Sequence, residues 1–404
     1  MAATGGATVT TPTALPLSVQ ALLKAAFDQC DAANATAITG LTGSARALFT
    51  AVTARREMVS VLVVSTDAEV ESLTSDTRFF FASLEGLLPS DAERAVLPFP
   101  SLEVDPYCGL APHFEVASAR AGVLCALVRR EVRIVVASAA ALLPRVTSPP
   151  AMRKASAVLT PGDESSPTLL GDRLLLAGFV RQDPVDAHGE FCVRGGIVDF
   201  FPAGDDHPVR LEFVGDNVES IRRYDEATQR SIGVIDHVAV TPVRERLEAA
   251  DGANTPEALA SVFEYLPTSR VRLLASEPEE IAAQLTTAFE RLTAAFEGAR
   301  ARGEAPQGLK GVAAEPEDIA RRLRAAVRLS ALDLKVPSTG DVVHVPCQPA
   351  VEFRGRVTDW LADVRRARAS NEPVLFVATT NGTLQRTVEL LAEDGVRAAI
   401  TGGD

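Results

Sequence analysis

The sequence predicts an α/β protein with a smaller antiparallel, β-rich part in its middle. Short β-branched runs alternate with helical periods from Ala35 to Val146, and the apolar period changes to two after the break at Ser148, Pro149 and Pro150. Strand and helix patterns alternate again from Thr255. Alternating strands and helices are typical of a parallel sheet covered by helices, whereas a period of two is typical of antiparallel strands with one buried face.

The first α/β part is defined by buried strands and amphipathic helices. Three β-branched runs predict parallel strands: Thr36–Ile38, Val59–Ser65 and Val132–Ala137. Thr66 and Asp67 follow the second run and favour a helix start, because their side-chain oxygens can accept from the free N–H groups of a first turn. Apolar spacing predicts another helix over Val116–Arg130, with one face made by Val116, Ala119, Val123, Leu127 and Val128.

The middle part is predicted to be a small antiparallel sheet, preceded by a helix near Thr168–Ala177. Phe191 and Val193 point to one face of a strand, so Cys192 and Arg194 point to the other. Because the apolar side chains belong in the core, we expect Arg194 on the solvent side. A later strand alternates in the same way before a Gly-Asp-Asn turn, with its apolar positions at Val209, Leu211 and Phe213.

The α/β pattern resumes after the middle part. Thr255 marks a helix start, Val271–Ala275 a strand, and Pro278–Phe296 and Glu315–Leu329 two helices. From Pro373 the pattern is a strand, a helix at Leu384–Glu393 and a second strand. Residues 336–404 are therefore predicted to form a small α/β domain, which we expect to be truncated.

Composition narrows the classes of function. The chain has 404 residues, 47% hydrophobic and 23% charged, with a formal net charge of −13. Acidic side chains outnumber basic ones in residues 1–150, in 151–246 and in the remainder of the sequence. This balance argues against DNA binding driven by phosphate neutralisation. The scattered cysteines predict no disulfide framework and no zinc site, and they favour a reducing cytoplasm. Residues 1–16 read as a disordered lead without a signal peptide, and no apolar run predicts a membrane span.

A glycine-containing loop follows the first predicted strand, where a nucleotide-binding P-loop would lie. Gly40 and Gly43 belong to it, but the positions of the second P-loop glycine, the lysine and the hydroxyl carry Ala45, Arg46 and Ala47. An alanine cannot bind magnesium, and arginine lacks the compact ammonium group of lysine.

The acidic partner motif of such a loop is altered as well. A working site places Asp-Glu after a later strand, but here Val271–Ala275 is followed by Ser276 and Glu277. The two changes agree, so we predict a degenerate nucleotide site with no catalytic residue, no metal and no cofactor. The alternative interpretation of the loop is a helix N-terminus retained for packing.

Two stretches carry a resemblance to a known family. Gly178–Ser231 contains GEFCVRGGIVDFFPAG, and Leu97–Leu124 reads LPFPSLEVDPYCGLAPHFEVASARAGVL. The first is similar to the small inserted domain shared by the excinuclease protein UvrB and the transcription-repair coupling factor (Mfd). The second resembles the coupling factor more than UvrB. The two stretches lie in the order that the family has.

The resemblance implies a domain organisation. We expect a UvrB-like multidomain α/β protein, with a degenerate P-loop α/β domain at 17–150 that resumes at 244–335, an inserted antiparallel (α+β) domain at 151–243, and a partial α/β domain at 336–404. In the family the inserted domain binds UvrA. The implied function is to recruit UvrA where RNA polymerase has stalled, in transcription-coupled nucleotide excision repair. ATP, magnesium, DNA and RNA polymerase are expected to act through a motor and other parts outside these residues.

The same resemblance implies which residues bind UvrA. Arg181 and Arg194 match two arginines of the UvrB motif, and Cys192 stands at the place of a third. Planar guanidinium groups suit this role because they form bidentate bonds to carboxylates. Phe201 is a candidate exposed aromatic anchor beside them. The alternatives are ion pairs within the domain for the arginines and core packing for Phe201. Glu190 and Asp199 could be taken for a catalytic acid pair, but without a pocket we expect them on solvated strand faces.

Two other classes of function stay open at this point. One is an active UvrB-like NTPase or helicase component of the excinuclease, which micromolar ATP binding would support. The other is a Rossmann-type metabolic enzyme, which would need a G-x-G-x-x-G turn that Gly40-Leu-Thr-Gly43 does not supply.

Overall fold

A computed structural model describes residues 21, 35–54, 56–247, 259–304, 308–332, 342–345, 347–348, 351, 353–378 and 380–400. The predicted lead at 1–16 and the helix start at Thr255 lie outside these residues. The chain divides into two compact units. The larger is built from 31–82 and 87–348, and the smaller includes 83–86 and 349–404.

The described strands are numbered in chain order. They are β1 Ala37–Thr39, β2 Val59–Val64, β3 Val96–Phe99, β4 Ile134–Ser138, β5 Val146–Thr147, β6 Ala157–Leu159, β7 Val180–Arg181, β8 Glu190–Arg194, β9 Ile197–Phe200, β10 Val209–Val214, β11 Asn217–Tyr224, β12 Ser231–Val234, β13 Val238–Val240, β14 Leu259–Ala260, β15 Val271–Ser276, β16 Val327–Ser330 and β17 Val342–His344.

The described α-helices are numbered in the same way. They are α1 Ser44–Thr53, α2 Asp67–Glu85, α3 Pro89–Ala95, α4 Phe114–Arg129, α5 Pro149–Ala155, α6 Pro167–Leu176, α7 Pro278–Ala301, α8 Pro316–Leu323, α9 Val357–Ala369 and α10 Asn381–Glu393. None of the helices in the described part of the chain combines the length and apolarity needed to cross a membrane.

A seven-stranded parallel sheet forms the centre of the larger unit. Its order is β17-β1-β16-β15-β2-β4-β3, and every neighbouring pair is parallel. The strands come from both sides of the antiparallel part, since β15, β16 and β17 follow it in the chain. Both faces of such a sheet are covered, which explains why Leu62 and Ile134 are fully buried.

A six-stranded sheet, in the order β12-β11-β10-β9-β8-β7, forms the centre of the middle part. All its neighbours are antiparallel except the two-residue β7, which runs parallel to β8. The mixed α/β architecture with a separate antiparallel sheet agrees with the sequence analysis.

Three local predictions were wrong. The predicted helix Glu315–Leu329 ends at Leu323, and its last part is β16, which lies between β1 and β15 inside the parallel sheet. No strand forms within the described residues 373–378 or 396–400, where Val374 and Phe376 stay largely exposed. A strand needs a hydrogen-bonded neighbour, so apolar alternation alone did not produce one.

The third error concerns the buried face of α4. Ala119 is exposed, whereas Arg120 is fully buried among apolar residues. The apolar spacing therefore misplaced the face by about one residue, because a charged side chain occupies part of the buried stripe.

Candidate docking surface and glycine-containing loop

One face of the antiparallel sheet is closed by apolar packing. Phe191, Val198, Leu211 and Ile221 lie in one buried cluster with residues of α6, and Val193 packs against that cluster. Cys192 and Arg194 alternate with these positions along β8, so they lie on the opposite face. The period-two pattern therefore predicted the two faces correctly.

Arg194 is held by two carboxylates on that opposite face. Its Nη2 donates to Oδ2 of Asp199 at 2.9 Å, and its Nη1 lies 3.7 Å from Oδ1 of Asp183. The Arg194 side chain nevertheless remains 47% exposed. Burial lowers the pKa of Arg194, but the carboxylates of Asp199 and Asp183 raise it above its usual value overall. Arg194 therefore presents a permanent positive charge to solvent.

Asp199 joins two arginines beneath this surface. It also accepts a bidentate contact from Arg210, at 2.7 Å from Nε and 2.9 Å from Nη2. The Arg210 guanidinium lies over the ring of Tyr224, 4.6 Å from its centroid. Asp199 was expected on a solvated strand face, but its side chain is only 1% exposed. A buried carboxylate requires partners, and the two guanidinium groups supply them.

Arg181 lies at the edge of the same sheet but not on the same face. It belongs to β7, the edge strand, and pairs in register with Phe191 of β8. Side chains paired across neighbouring strands share a face, so Arg181 projects toward the face opposite Arg194. The residue is exposed, and it has no ion-pair partner among the described side chains. The structure thus places both arginines along the β7–β8 edge without joining them in one network.

Phe201 is not an exposed anchor. It is 4% exposed and packs in a small buried cluster with Val185 and Cys192. The loop between β7 and β8 folds over this side of the sheet, and the ring of His188 lies 4.0 Å from that of Phe201. The core-packing alternative for Phe201 is therefore correct. The strand pattern alone left the Phe201 side chain open to solvent, but the β7–β8 loop covers it.

Several backbone amides of the Gly40–Ala47 loop donate hydrogen bonds to carbonyl oxygens of the protein itself. Ala45 N donates to Thr42 O at 2.9 Å and Arg46 N donates to Gly43 O at 3.1 Å, while Leu41 N donates to Ser330 O of β16 at 3.2 Å. Phosphate-binding loops instead direct successive N–H groups at the ligand. In this loop the amides of Leu41, Ala45 and Arg46 already have acceptors.

The side chain of Arg46 turns into the loop and not out of it. Its Nη1 donates to Oγ of Ser276 at 2.7 Å, its Nη2 contacts a carboxylate oxygen of Glu277, and its Nε donates to Leu41 O at 3.0 Å. Arg46 is only 8% exposed, and Ala47 is fully buried. The two segments that the sequence analysis paired, Gly40–Ala47 and Ser276–Glu277, therefore lie together.

The segment at β17 covers the start of this loop. The Oγ1 of Thr39 lies 3.0 Å from Nδ1 of His344, and Oγ1 of Thr42 lies 3.4 Å from Sγ of Cys347. Gly40 has φ +85°, and a Cβ placed on it would meet the carbonyl oxygen of Val345 at 2.0 Å. Only glycine fits this close approach.

A buried ion pair lies where sequence reasoning expected only packing. Arg120 of α4 donates from Nε to Glu245 and from Nη2 to Ala141 O at 3.2 Å, and its guanidinium carbon lies 4.0 Å from the Phe99 ring centroid. The side chains of Arg120 and Glu245 are 0% and 5% exposed. The only sequence signal was a charged residue inside an apolar helical stripe. An argument from apolar periodicity does not count such a residue as buried.

The comparisons with known proteins agree with this geometry. The family model described as the UvrB interaction domain matches residues 158–245. The transcription-repair-coupling factor of Bacillus subtilis is 30% identical over 246 residues, which cover 60% of this chain and 20% of that protein. The chain is thus similar to a transcription-repair-coupling factor over 60% of its own length.

Other similar proteins extend this relationship. The transcription-repair-coupling factor of Myxococcus xanthus is 32% identical over 238 residues, covering 58% of this chain and 20% of that protein. UvrABC system protein B of Streptococcus suis is 36% identical over 129 residues, covering 32% of this chain and 19% of that protein. The chain thus spans about a fifth of the length of the coupling factors that it matches.

Proposed function

We propose that the middle part of this chain binds UvrA, and that this binding brings UvrA to lesions where RNA polymerase has stalled. The match of residues 158–245 to the UvrB interaction domain carries the proposal. The relatives named transcription-repair-coupling factor support placing the interaction in DNA repair linked to transcription. Through the same relationship, we propose that the whole protein is an ATP-dependent DNA translocase that displaces RNA polymerase.

The β7–β8 edge supplies the contact groups in this proposal. Arg181 is exposed without an ion-pair partner among the described residues, and Arg194 is half exposed with one guanidinium edge facing outward. Exposed arginines on a rigid strand suit the carboxylates of a partner protein. Phe201, being buried, supports the β7–β8 loop from below and does not itself contact the partner.

We further propose that the Gly40–Ala47 loop neither binds nor hydrolyses a nucleotide, so these residues recruit a partner and do not catalyse a reaction. The arrangement does not fit magnesium and ATP: the amides of Ala45 and Arg46 are bonded within the loop, and the Arg46 guanidinium is paired with Glu277. Ala47 offers no hydroxyl to a metal ion. If a calorimetric titration of the chain with ATP and magnesium shows saturable micromolar binding, the competing NTPase function gains support.

The docking proposal is tested with purified UvrA and the full chain. Arg181→Ala and Arg194→Ala are each expected to weaken binding severalfold, and the double variant more than about tenfold. The two losses should add, because the arginines lie on opposite faces and share no partner.

A matched control distinguishes a local contact from a general loss of positive charge. Arg230 is exposed and precedes β12, at the opposite edge of the sheet. Arg230→Ala is therefore expected to leave UvrA affinity unchanged. An unaltered affinity of the Arg181→Ala plus Arg194→Ala variant would show that the site assignment is wrong. An equal loss with Arg230→Ala would show that the effect is a general one of positive charge.

A further inference from the structure

The loop between β7 and β8 places a carboxylate against the outward edge of Arg194. Oδ1 of Asp183 lies 3.7 Å from Nη1 of Arg194, whereas Nη2 donates to Asp199 at 2.9 Å. The 2.9 Å contact is a hydrogen bond, and the 3.7 Å contact is only an ion pair. Nη1 is therefore the edge at which a better-placed carboxylate could form a shorter bond.

The buried thiol of Cys192 lies close enough to Asp183 to feel its charge. Cys192 is 5% exposed and packs in a buried cluster with Val185 and Phe201. Burial raises the pKa of Cys192, and the charge of Asp183 raises it further, so the thiol stays protonated at neutral pH. In this structure the Asp183 carboxylate therefore lies beside Arg194 through the 3.7 Å ion pair.

The two carboxylates on Arg194 differ in how easily they can be replaced. Asp199 is 1% exposed and is shared with Arg210, so it is fixed in the sheet. Asp183 is 55% exposed and lies on a loop. An exposed ion pair of this kind changes an equilibrium by only about 1.4- to fivefold. The Asp183 contact is weak enough for an incoming group to displace it.

We propose that Asp183 is an internal competitor for the docking surface, which a carboxylate of the partner displaces from Nη1 of Arg194 on binding. This inference rests on the proposed function, because it takes Arg194 as a contact residue. It specifies the chemistry of the partner, which must present an acidic side chain from the side of the β7–β8 loop. It also assigns Asp183 a role in limiting affinity.

Asp183→Asn is the test, measured as the dissociation constant of the full chain for purified UvrA. The substitution removes the competing charge and keeps the size and shape of the side chain. We expect affinity to rise about two- to fivefold, the worth of one exposed ion pair. An unchanged or weaker affinity would overturn the inference.

Two matched variants separate competition from a general charge effect. Asp186→Asn removes the same charge from the same loop, and Asp186 has no ion-pair partner among the described residues, so its effect should be clearly smaller. In an Arg194→Gln background, Asp183→Asn should give no gain. An equal gain from Asp186→Asn, or a gain that persists without Arg194, would contradict the proposal.

The outcomes also separate this inference from the proposed function. If Arg194→Gln alone leaves UvrA affinity unchanged, Arg194 is not a contact residue. If Arg194→Gln weakens binding but Asp183→Asn does not strengthen it, the surface stands and only the competitor role of Asp183 fails.

Discussion

Replacing Arg120 by methionine should strongly destabilise the larger unit. Glu245 would keep its charge at 5% exposure with its guanidinium partner removed. Breaking a buried ion pair by removing one partner costs about 3–5 kcal/mol, because the other charge is left desolvated. Arg120 also donates to Ala141 O and contacts the Phe99 ring, so its removal loosens three segments at once.

The position of this pair explains why the loss should reach the chain that returns from the antiparallel part. Glu245 follows directly after the antiparallel part, and its carbonyl oxygen accepts from Thr147 N at 2.8 Å. Leu247 N in turn donates to the hydroxyl of Thr147 at 2.9 Å. Arg120 therefore ties the returning chain to α4 and to the parallel sheet. Amide hydrogen exchange near 245–247 is expected to accelerate in Arg120→Met.

The assay is urea-induced unfolding followed by circular dichroism, with a double-variant cycle as the control. Glu245→Gln should cost less than Arg120→Met, because its amide oxygen can still accept from the guanidinium. Arg120→Met combined with Glu245→Met removes both charges and should recover much of the loss. A cost below about 1 kcal/mol for Arg120→Met, or a double variant that costs the full sum, would refute the reasoning.

Three further predictions test other parts of the structure. Phe201→Leu should leave UvrA affinity within about twofold, since the side chain is buried, and a tenfold loss by titration would restore it as an anchor. Gly40→Ala should destabilise the chain by more than about 1 kcal/mol in thermal unfolding, because its Cβ would lie 2.0 Å from a carbonyl oxygen. Gly43→Ala, with nothing within 4 Å of its Cβ, should cost less; equal costs would contradict the steric argument. At pH 8 iodoacetamide should label exposed Cys108 but not Cys125, since burial raises the pKa of the Cys125 thiol to about 12 and so lowers its reactive thiolate fraction. Mass spectrometry of the labelled peptides checks this. The control is the same reaction in denaturant, where both residues should be labelled.

Local chemistry was enough to predict much of this molecule. The buried strands β2 and β4 and the alternation of Phe191 and Arg194 along β8 follow from hydrophobic period, because each strand must bury one or both faces. The pairing of the Gly40–Ala47 loop with Ser276 and Glu277 was also predicted, and the structure joins them through Arg46.

Errors arose where a residue's surroundings come from distant segments. Val327–Ser330 forms a central strand because β1 and β15 flank it, although its own sequence continues a helical pattern. Phe201 is buried because the β7–β8 loop folds over it, and Arg120 is buried because Glu245 arrives from more than a hundred residues away.

The sequence by itself determined which strand faces are apolar and which loop lacks a lysine and a hydroxyl, because these properties depend on residue type and spacing. The choice of Arg181 and Arg194 as docking residues came from the family resemblance and stays a prediction. Only the tertiary structure decided that Arg181 and Arg194 lie on different faces, that Asp199 is buried between two guanidinium groups, and that Asp183 lies beside Arg194. Such contacts depend on which chain segments meet in space. The strength of each electrostatic interaction depends on how much water is excluded where they meet.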